Sequence, residues 1–427
     1  MRNEMGKKDT ASLTQVELDL NARKKRFWDA ATLKTPDRVP LACMDDYFCL
    51  SLGGATAATA YYEPEKAVKI YLEQIGQFNW DMMTPFGNLP GKVGEILGCT
   101  SNKWAGYNLP DNHEFQYVEK EYMSADEYDE FLRDPSDFTV RKLWPRMATG
   151  LEAFGLFPNL LVLSHSFAPI SDLALTLGQP EVQEMLEKML EAGKEMNKYN
   201  QIFELTEQGL NAQGFPMLGG IATAHAPFDW VSDYLRGIKG SMMDMYYEPD
   251  KLKAVIEVIT PPMIQHAIET AKMFDDPVVF MPLHRGADPF MSRDQYAEFY
   301  WPGLKKTINA FVDAGLTPFT FWEGSYTGRL EFLQELPPGK VLSHFDVVDL
   351  EKAREMIGDI TCFWGNVPAG TLMSGTPDDV GDYVKKLIDI FGDTGSLIID
   401  GGAGIPKEAK IENVMALTET VLEYGVY

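Results

Sequence analysis

Three side chains in one short stretch have the types and spacing for chemistry: Glu323, His344 and Asp346, with twenty residues between the first two. Residues 317–322 (TPFTFW) are β-branched and aromatic, as a buried strand should be, and Glu323-Gly324 ends the run. Leu330, Leu333 and Leu336 then recur at helical spacing, Pro337-Pro338-Gly339 stops the helix, and Val341-Leu342 begins a second strand. A β-α-β unit sets two such strand ends side by side on the carboxyl-end rim of a parallel sheet, where α/β enzymes keep their reacting groups. A carboxylate and an imidazole there form half of a metal site or an acid–base pair. The competing roles are structural: Glu323 capping the next helix or pairing with Arg329, and His344 as a hydrogen-bonded core group.

The elements that must position these residues extend over most of the chain. Strand patterns fall at 39–44, 80–85, 159–164, 218–223, 278–282, 361–364 and 396–399, besides the two above. Polar or glycine residues follow them: Asp45-Asp46-Tyr47, then His165, His225, His284-Arg285-Gly286, Gly365-Asn366 and Gly401-Gly402. Helical patterns alternate with the strands, and a count of about eight strands favours a (β/α)8 barrel of the α/β class over an open sheet. The helix at 13–33 is an N-terminal extension, and residues 1–12 read as a solvated tail. Residues 13–427 are expected to form one domain, with the irregular, polar-aromatic stretch 87–146 inserted after the second strand.

Bulk properties narrow the function. A net charge of −25 argues against nucleic acid, which needs a basic surface. The composition, 45% hydrophobic and 24% charged, is that of an ordered soluble chain. The start MRNEMGKKDTASLTQ has no apolar signal core, and no run of about 18 apolar residues offers a membrane span. Four cysteines without a CxxC fit a reducing cytoplasm and supply no thiolate zinc pattern.

Several pieces together resemble the uroporphyrinogen decarboxylase superfamily of (β/α)8 barrels, from Arg26 onward. They are Pro36-Asp37-Arg38-Val39-Pro40 entering the first strand, Gly365-Asn366-Val367 with Ser374-Gly375-Thr376-Pro377, and Gly401-Gly402-Ala403-Gly404-Ile405-Pro406 with Glu412-Asn413-Val414. Porphyrinogen decarboxylases carry arginines after the first strand, whereas this chain reads Met44-Asp45-Asp46-Tyr47-Phe48, which would repel a polycarboxylate. The thiol-activating methyltransferases of the superfamily use a His-x-Cys and a later Cys as zinc ligands. Here those places read Thr320-Phe321-Trp322-Glu323 and Ala403-Gly404-Ile405-Pro406. The spacing of Glu323 and His344 is similar to part of a Glu, Glu, His zinc set in O-demethylase methyltransferases. The earlier Glu of that set falls on Ile308, so His284 is taken as the third ligand, with Asp346 and Asp288 as alternatives.

The resemblance implies an enzyme: a corrinoid-dependent methyltransferase whose metal, expected to be zinc, is held by Glu323, His344 and His284. The methyl group of a small donor, with a methoxylated aromatic or other methyl ether favoured, would pass to a methylcobamide carried on a separate corrinoid protein. Arg285 or Arg329 would hold a donor carboxylate or a developing phenolate, and Asp346 and Asn366 complete the candidate catalytic group. Asp45, Tyr47, His165, His225 and Trp322 are the candidate substrate contacts. No nucleic acid or membrane partner is expected, and a homodimer is left open. The alternative is a metal-independent lyase that decarboxylates a small acid with His and Asp proton donors. The chain lacks the Asp-x-His-x-x-Gly anchor of corrinoid carriers, which argues against a carrier role.

Overall fold

The computed structural model describes residues 13–45, 47–84, 89–164 and 169–427. Six strands form one parallel sheet in chain order: β3 (Ala222–Thr223), β4 (Val278–Leu283), β5 (Thr317–Ser325), β6 (Leu342–Val347), β7 (Cys362–Trp364) and β8 (Leu397–Ile398). An earlier antiparallel hairpin, β1 (Asn102–Trp104) with β2 (Phe115–Tyr117), lies outside this sheet.

Two short extended segments complete the ring. Ile399 N–H donates to Pro40 O at 3.0 Å and Ala42 N–H to Ile399 O at 3.2 Å, so the first segment continues beside β8. Asp81 N–H donates to Leu41 O at 2.7 Å, and Met83 and residues 216–218 exchange bonds of 2.9 and 2.7 Å. The chain is therefore a (β/α)8 barrel. The expected strand at 159–164 is absent: Val162–Ser164 is a 3-10 turn, and Leu161 and Val162 are 65% and 59% exposed. An apolar run with no neighbouring strand to bond has no reason to extend. Removing it from the nine strand patterns leaves the eight staves observed.

Strand alternation sorts the side chains into tiers inside the barrel. Phe280, Phe319, Leu342 and Cys362 share one level, and Phe321, His344, Trp364 and Ile398 the next. Phe319 stacks on Trp364 at 4.5 Å between ring centres, and Phe321 meets His344 edge-on at 4.9 Å. Two residues further along each strand come His284, Glu323, Asp346, Asn366 and Asp400, a polar tier at the rim. Below, α1 (Gln15–Ala31) closes the amino end, with Phe27 against Trp364 at 5.6 Å. A capping box of Thr14 and Glu17 starts that helix.

The floor is pinned by one carboxylate. Asp81 is fully buried and accepts from Arg26 at 2.6 Å, from both terminal nitrogens of Arg38 at 2.8 Å, and from Leu41 N–H at 2.8 Å. It thereby ties α1 to the first two staves.

Candidate functional site

The centre of the mouth is His284, the residue after β4. Its backbone N–H and that of Arg285 both donate to the carboxylate of Asp229 at 2.9 Å, and Tyr300 OH donates to the same group at 2.7 Å. Asp229 is fully buried, and burial raises its pKa against the pull of these partners. It lies on the helix Pro227–Val231, which starts with proline in its first turn and runs into a π turn, Ser232–Arg236. The imidazole of His284 donates from Nδ1 to Glu323 Oε2 at 3.0 Å, and its Nε2 faces Asp233 Oδ2 at 3.7 Å. Burial lowers the pKa of His284, but the bond to Glu323 and the charges of Asp229, Glu323 and Asp233 outweigh it and hold the group at about 9.

Glu323 reaches this position through an irregularity in β5. The register with β6 shifts between Trp322 and Ser325, where Gly324 has φ +83°. A bulge of this kind re-aims a side chain at a barrel rim. Gly324 N–H is held by Asp346 Oδ2 at 3.0 Å, Asp346 O accepts from Asn366 Nδ2 at 3.2 Å, and Tyr383 OH donates to Asn366 Oδ1 at 3.2 Å. Asp346 and Asn366 thus lace the ends of β5, β6 and β7 together.

His225, just past β3, lies 6.5 Å from His284 between ring centres. Its Nε2 is 3.2 Å from Tyr234 OH, and its Nδ1 is buried with no hydrogen-bond partner. Burial first, and then the charge of His284, lower its pKa to about 4, so it is neutral at pH 7. Asp233 is pushed up to about 6, by burial first and then by Asp229, although Arg285 Nη2 donates to its Oδ1 at 3.0 Å. One ligand atom each from His225, Asp233 and His284 lies within 4.8 Å of the others, which among the described residues is the one such triple. Two imidazoles and a carboxylate suit zinc by donor type, and the orphaned Nδ1 is what an ion would satisfy.

The expected ligand set is assembled only in part. Glu323 meets His284, but His344 belongs to a different pair. Its Nε2 is 2.9 Å from Asp400 Oδ2, both residues are fully buried, and Asp400 also accepts from the N–H groups of Met44 and Gly401. Arg285 is committed to Asp233 and to Ser232 Oγ at 3.2 Å. Arg329 does not reach the mouth: it is buried, donates to Gly286 O at 3.0 Å and Met291 O at 2.5 Å, and covers the ring of Tyr296. Arg329→Met is therefore expected to cost about 2–3 kcal/mol by stranding two carbonyls, read by urea denaturation. Unchanged stability with lost turnover would give Arg329 a part in the chemistry instead.

The expected substrate contacts are mostly buried and engaged with other partners. Trp322 is fully buried on the outward face of β5, stacked on Phe345 at 6.1 Å. The parity that points Glu323 inward points Trp322 outward. Tyr47 is buried with its hydroxyl 2.7 Å from that of Tyr61. Asp45 is buried and accepts from the N–H groups of Phe48 and Cys49 at the start of the short helix Phe48–Leu52, and burial pushes its pKa up to about 6. His165 lies outside the described residues. His225 alone among these candidates joins the cluster.

Asp229, Asp233, Tyr234 and Asp400 were not singled out from sequence. Charges at i, i+4 spacing usually lie on the solvated face of a helix, so Asp229 and Asp233 carry little signal beyond their place directly after His225. A cavity of 590 Å³ opens beside His225 and Tyr234, walled by Trp144, Trp230, Ile259 and Met263, with no Asp, Glu, Lys or Arg among its described lining residues. A second cavity of 580 Å³ lies between the helices Pro64–Ile75 and Pro180–Ala212, away from the cluster.

The uroporphyrinogen decarboxylase (URO-D) family profile matches residues 115–424. The chain belongs to the uroporphyrinogen decarboxylase family. No curated protein sequence matches it significantly. Among solved structures, a methyltransferase from Methanosarcina mazei is similar in fold, with a TM-score of 0.59 and 16% identity over 94% of this chain and 98% of that one. Among the described residues of this family member, no helix is long and apolar enough to cross a membrane.

Proposed function

We propose that the chain is a methyltransferase that moves a methyl group from a small donor to the cobalt(I) of a corrinoid protein, with the reaction at the His284 end of the barrel mouth. The observation that carries this reading is the cluster itself: His225, Asp233 and His284 converge within 4.8 Å at the rim, beside an uncharged cavity of 590 Å³. That volume suits a small organic donor, and the likeness in fold to the Methanosarcina mazei methyltransferase supports the class of reaction.

The transfer balances simply for an ether donor. The methyl carbon–oxygen bond breaks, the cobalt(I) electron pair forms the new carbon–cobalt bond, and the carbon–oxygen pair leaves with the oxygen, which takes up a proton. The nitrogen and oxygen donors around His284 would hold a zinc ion, and the chemistry it would supply is Lewis-acid polarisation of the departing oxygen. The chain's own residues do the positioning. Asp229 fixes the backbone of His284 and Arg285, Glu323 fixes the imidazole, and Trp230 and Tyr234 line the cavity beside it. Cytoplasmic location and a docked corrinoid partner belong to the same proposal.

Decarboxylation of a small acid is the second reading, favoured by the cationic His284 as a proton donor. One assay separates the two. Purified protein is offered cobalt(I) cobamide with a panel of methyl ethers, methylamines and methyl thioethers, and cobalt(I) loss is followed by absorbance. Enzyme-dependent loss with at least one donor is expected. No loss with any donor, together with carbon dioxide release from small acids, would replace the methyltransferase reading with the lyase.

A further inference from the structure

We propose that His225, Asp233 and His284 are the ligands of a zinc-type divalent cation, with Glu323, Tyr234 and Arg285 holding those ligands from behind. This deepens the functional reading by naming the ion's ligands, and rests on that reading only for the ion's role.

The pattern of ties is what points to an ion. Each of the three residues has one polar atom secured and another left over. His284 is secured at Nδ1 by Glu323, which leaves Nε2, whose proton the ion would displace on binding. Asp233 is secured at Oδ1 by Arg285 Nη2, which leaves Oδ2, and these two left-over atoms already face each other at 3.7 Å. Two ligands of a tetrahedral ion with bonds of about 2.0–2.1 Å lie roughly 3.4 Å apart, so little movement is needed. His225 Nε2 lies 3.2 Å from Tyr234 OH, and in the tautomer that carries its proton on Nε2 that N–H donates to the hydroxyl oxygen and Nδ1 keeps its lone pair for the ion. That Nδ1 is buried and has no partner. A buried imidazole nitrogen is costly to leave unsatisfied, and an ion beside it removes the cost.

The second layer is of the kind metal sites use. A ligating histidine hands its other N–H to a carboxylate, and a ligating carboxylate is itself hydrogen-bonded. Three protein ligands leave a fourth position open, the arrangement of a site that acts on a bound molecule. Here His225 and Tyr234 also line the uncharged cavity, which gives such a molecule a way in. His344 also has one nitrogen engaged, Nε2 on Asp400, and a buried Nδ1 without a partner, but it is outside this set because it is not among the residues whose ligand atoms converge within 4.8 Å.

The test is metal binding by the full-length protein, stripped with a chelator and titrated with zinc by calorimetry and with cobalt(II) by visible absorption. Wild type is expected to take up about one ion per chain, with the cobalt(II) bands of a four-coordinate site. His225→Ala and Asp233→Asn should each lower affinity by at least about 100-fold, Glu323→Gln by about 10-fold, and His344→Gln should leave it unchanged. Thermal melting of each stripped variant checks the fold, and His225→Gln replaces His225→Ala if the smaller side chain destabilises the protein. No uptake by wild type, full affinity in folded His225 or Asp233 variants, or loss of the ion in folded His344→Gln would overturn the assignment. An ion bound as assigned in a protein that transfers no methyl group would overturn the function and leave the site standing.

Discussion

Replacing His284 with alanine is expected to reduce methyl transfer by about three orders of magnitude, equivalent to about 4 kcal/mol of transition-state stabilisation. The loss should fall on kcat more than on KM, because in the proposed complex the donor's apolar body would rest on the cavity walls, which do not include this imidazole. The fold should survive. Asp229 grips the backbone N–H of His284, not its side chain, so the loop after β4 keeps its anchor. Glu323 loses its partner but its side chain is 38% exposed and can turn to water. Steady-state kinetics beside circular dichroism would check both halves. Turnover within a few-fold of wild type would remove His284 from the chemistry.

The largest expected effect on stability lies at the other end of the barrel. Asp81→Ala would leave the guanidinium of Arg38 and one arm of Arg26 without their buried carboxylate, and Leu41 N–H without an acceptor. Breaking one side of a buried ionic network costs about 3–5 kcal/mol, far more than the net worth of the pair, because the remaining charge is stranded. Arg26 keeps its paired bonds to Asp37 at 2.7 Å, which caps the damage. Denaturant unfolding should show the whole loss, since Asp81 joins α1 to the first two staves. A loss under about 1 kcal/mol would mean that the arginines find water instead.

The alternation of strands and helices was legible because parallel barrel strands are buried on both faces and read as apolar runs closed by a polar residue. That pattern located His284, Glu323, Asp346 and Asn366 at one level. It fails where an apolar run packs without strand neighbours, as at 159–164. Partner choice was not legible. Nothing in the spacing of Glu323 and His344 shows that His344 bonds Asp400, 56 residues away, while Glu323 bonds His284. Strand parity was legible and decisive for Trp322: a tryptophan beside an inward Glu323 must face the helices. The carboxylates of Asp229 and Asp233 were hidden because a helix charge usually faces water, and only the turn after β3 brings these two inside.

The most direct test uses a methyl ether whose methyl group carries three deuterium atoms, cobalt(I) cobamide as acceptor, and mass spectrometry of the cobamide product. Wild-type protein should give cobamide bearing the intact deuterated methyl group, and His284→Ala almost none in the same time. Equal yields from the two proteins, or release of carbon dioxide from acids with no methylated cobamide from any donor, would contradict methyl transfer at this mouth.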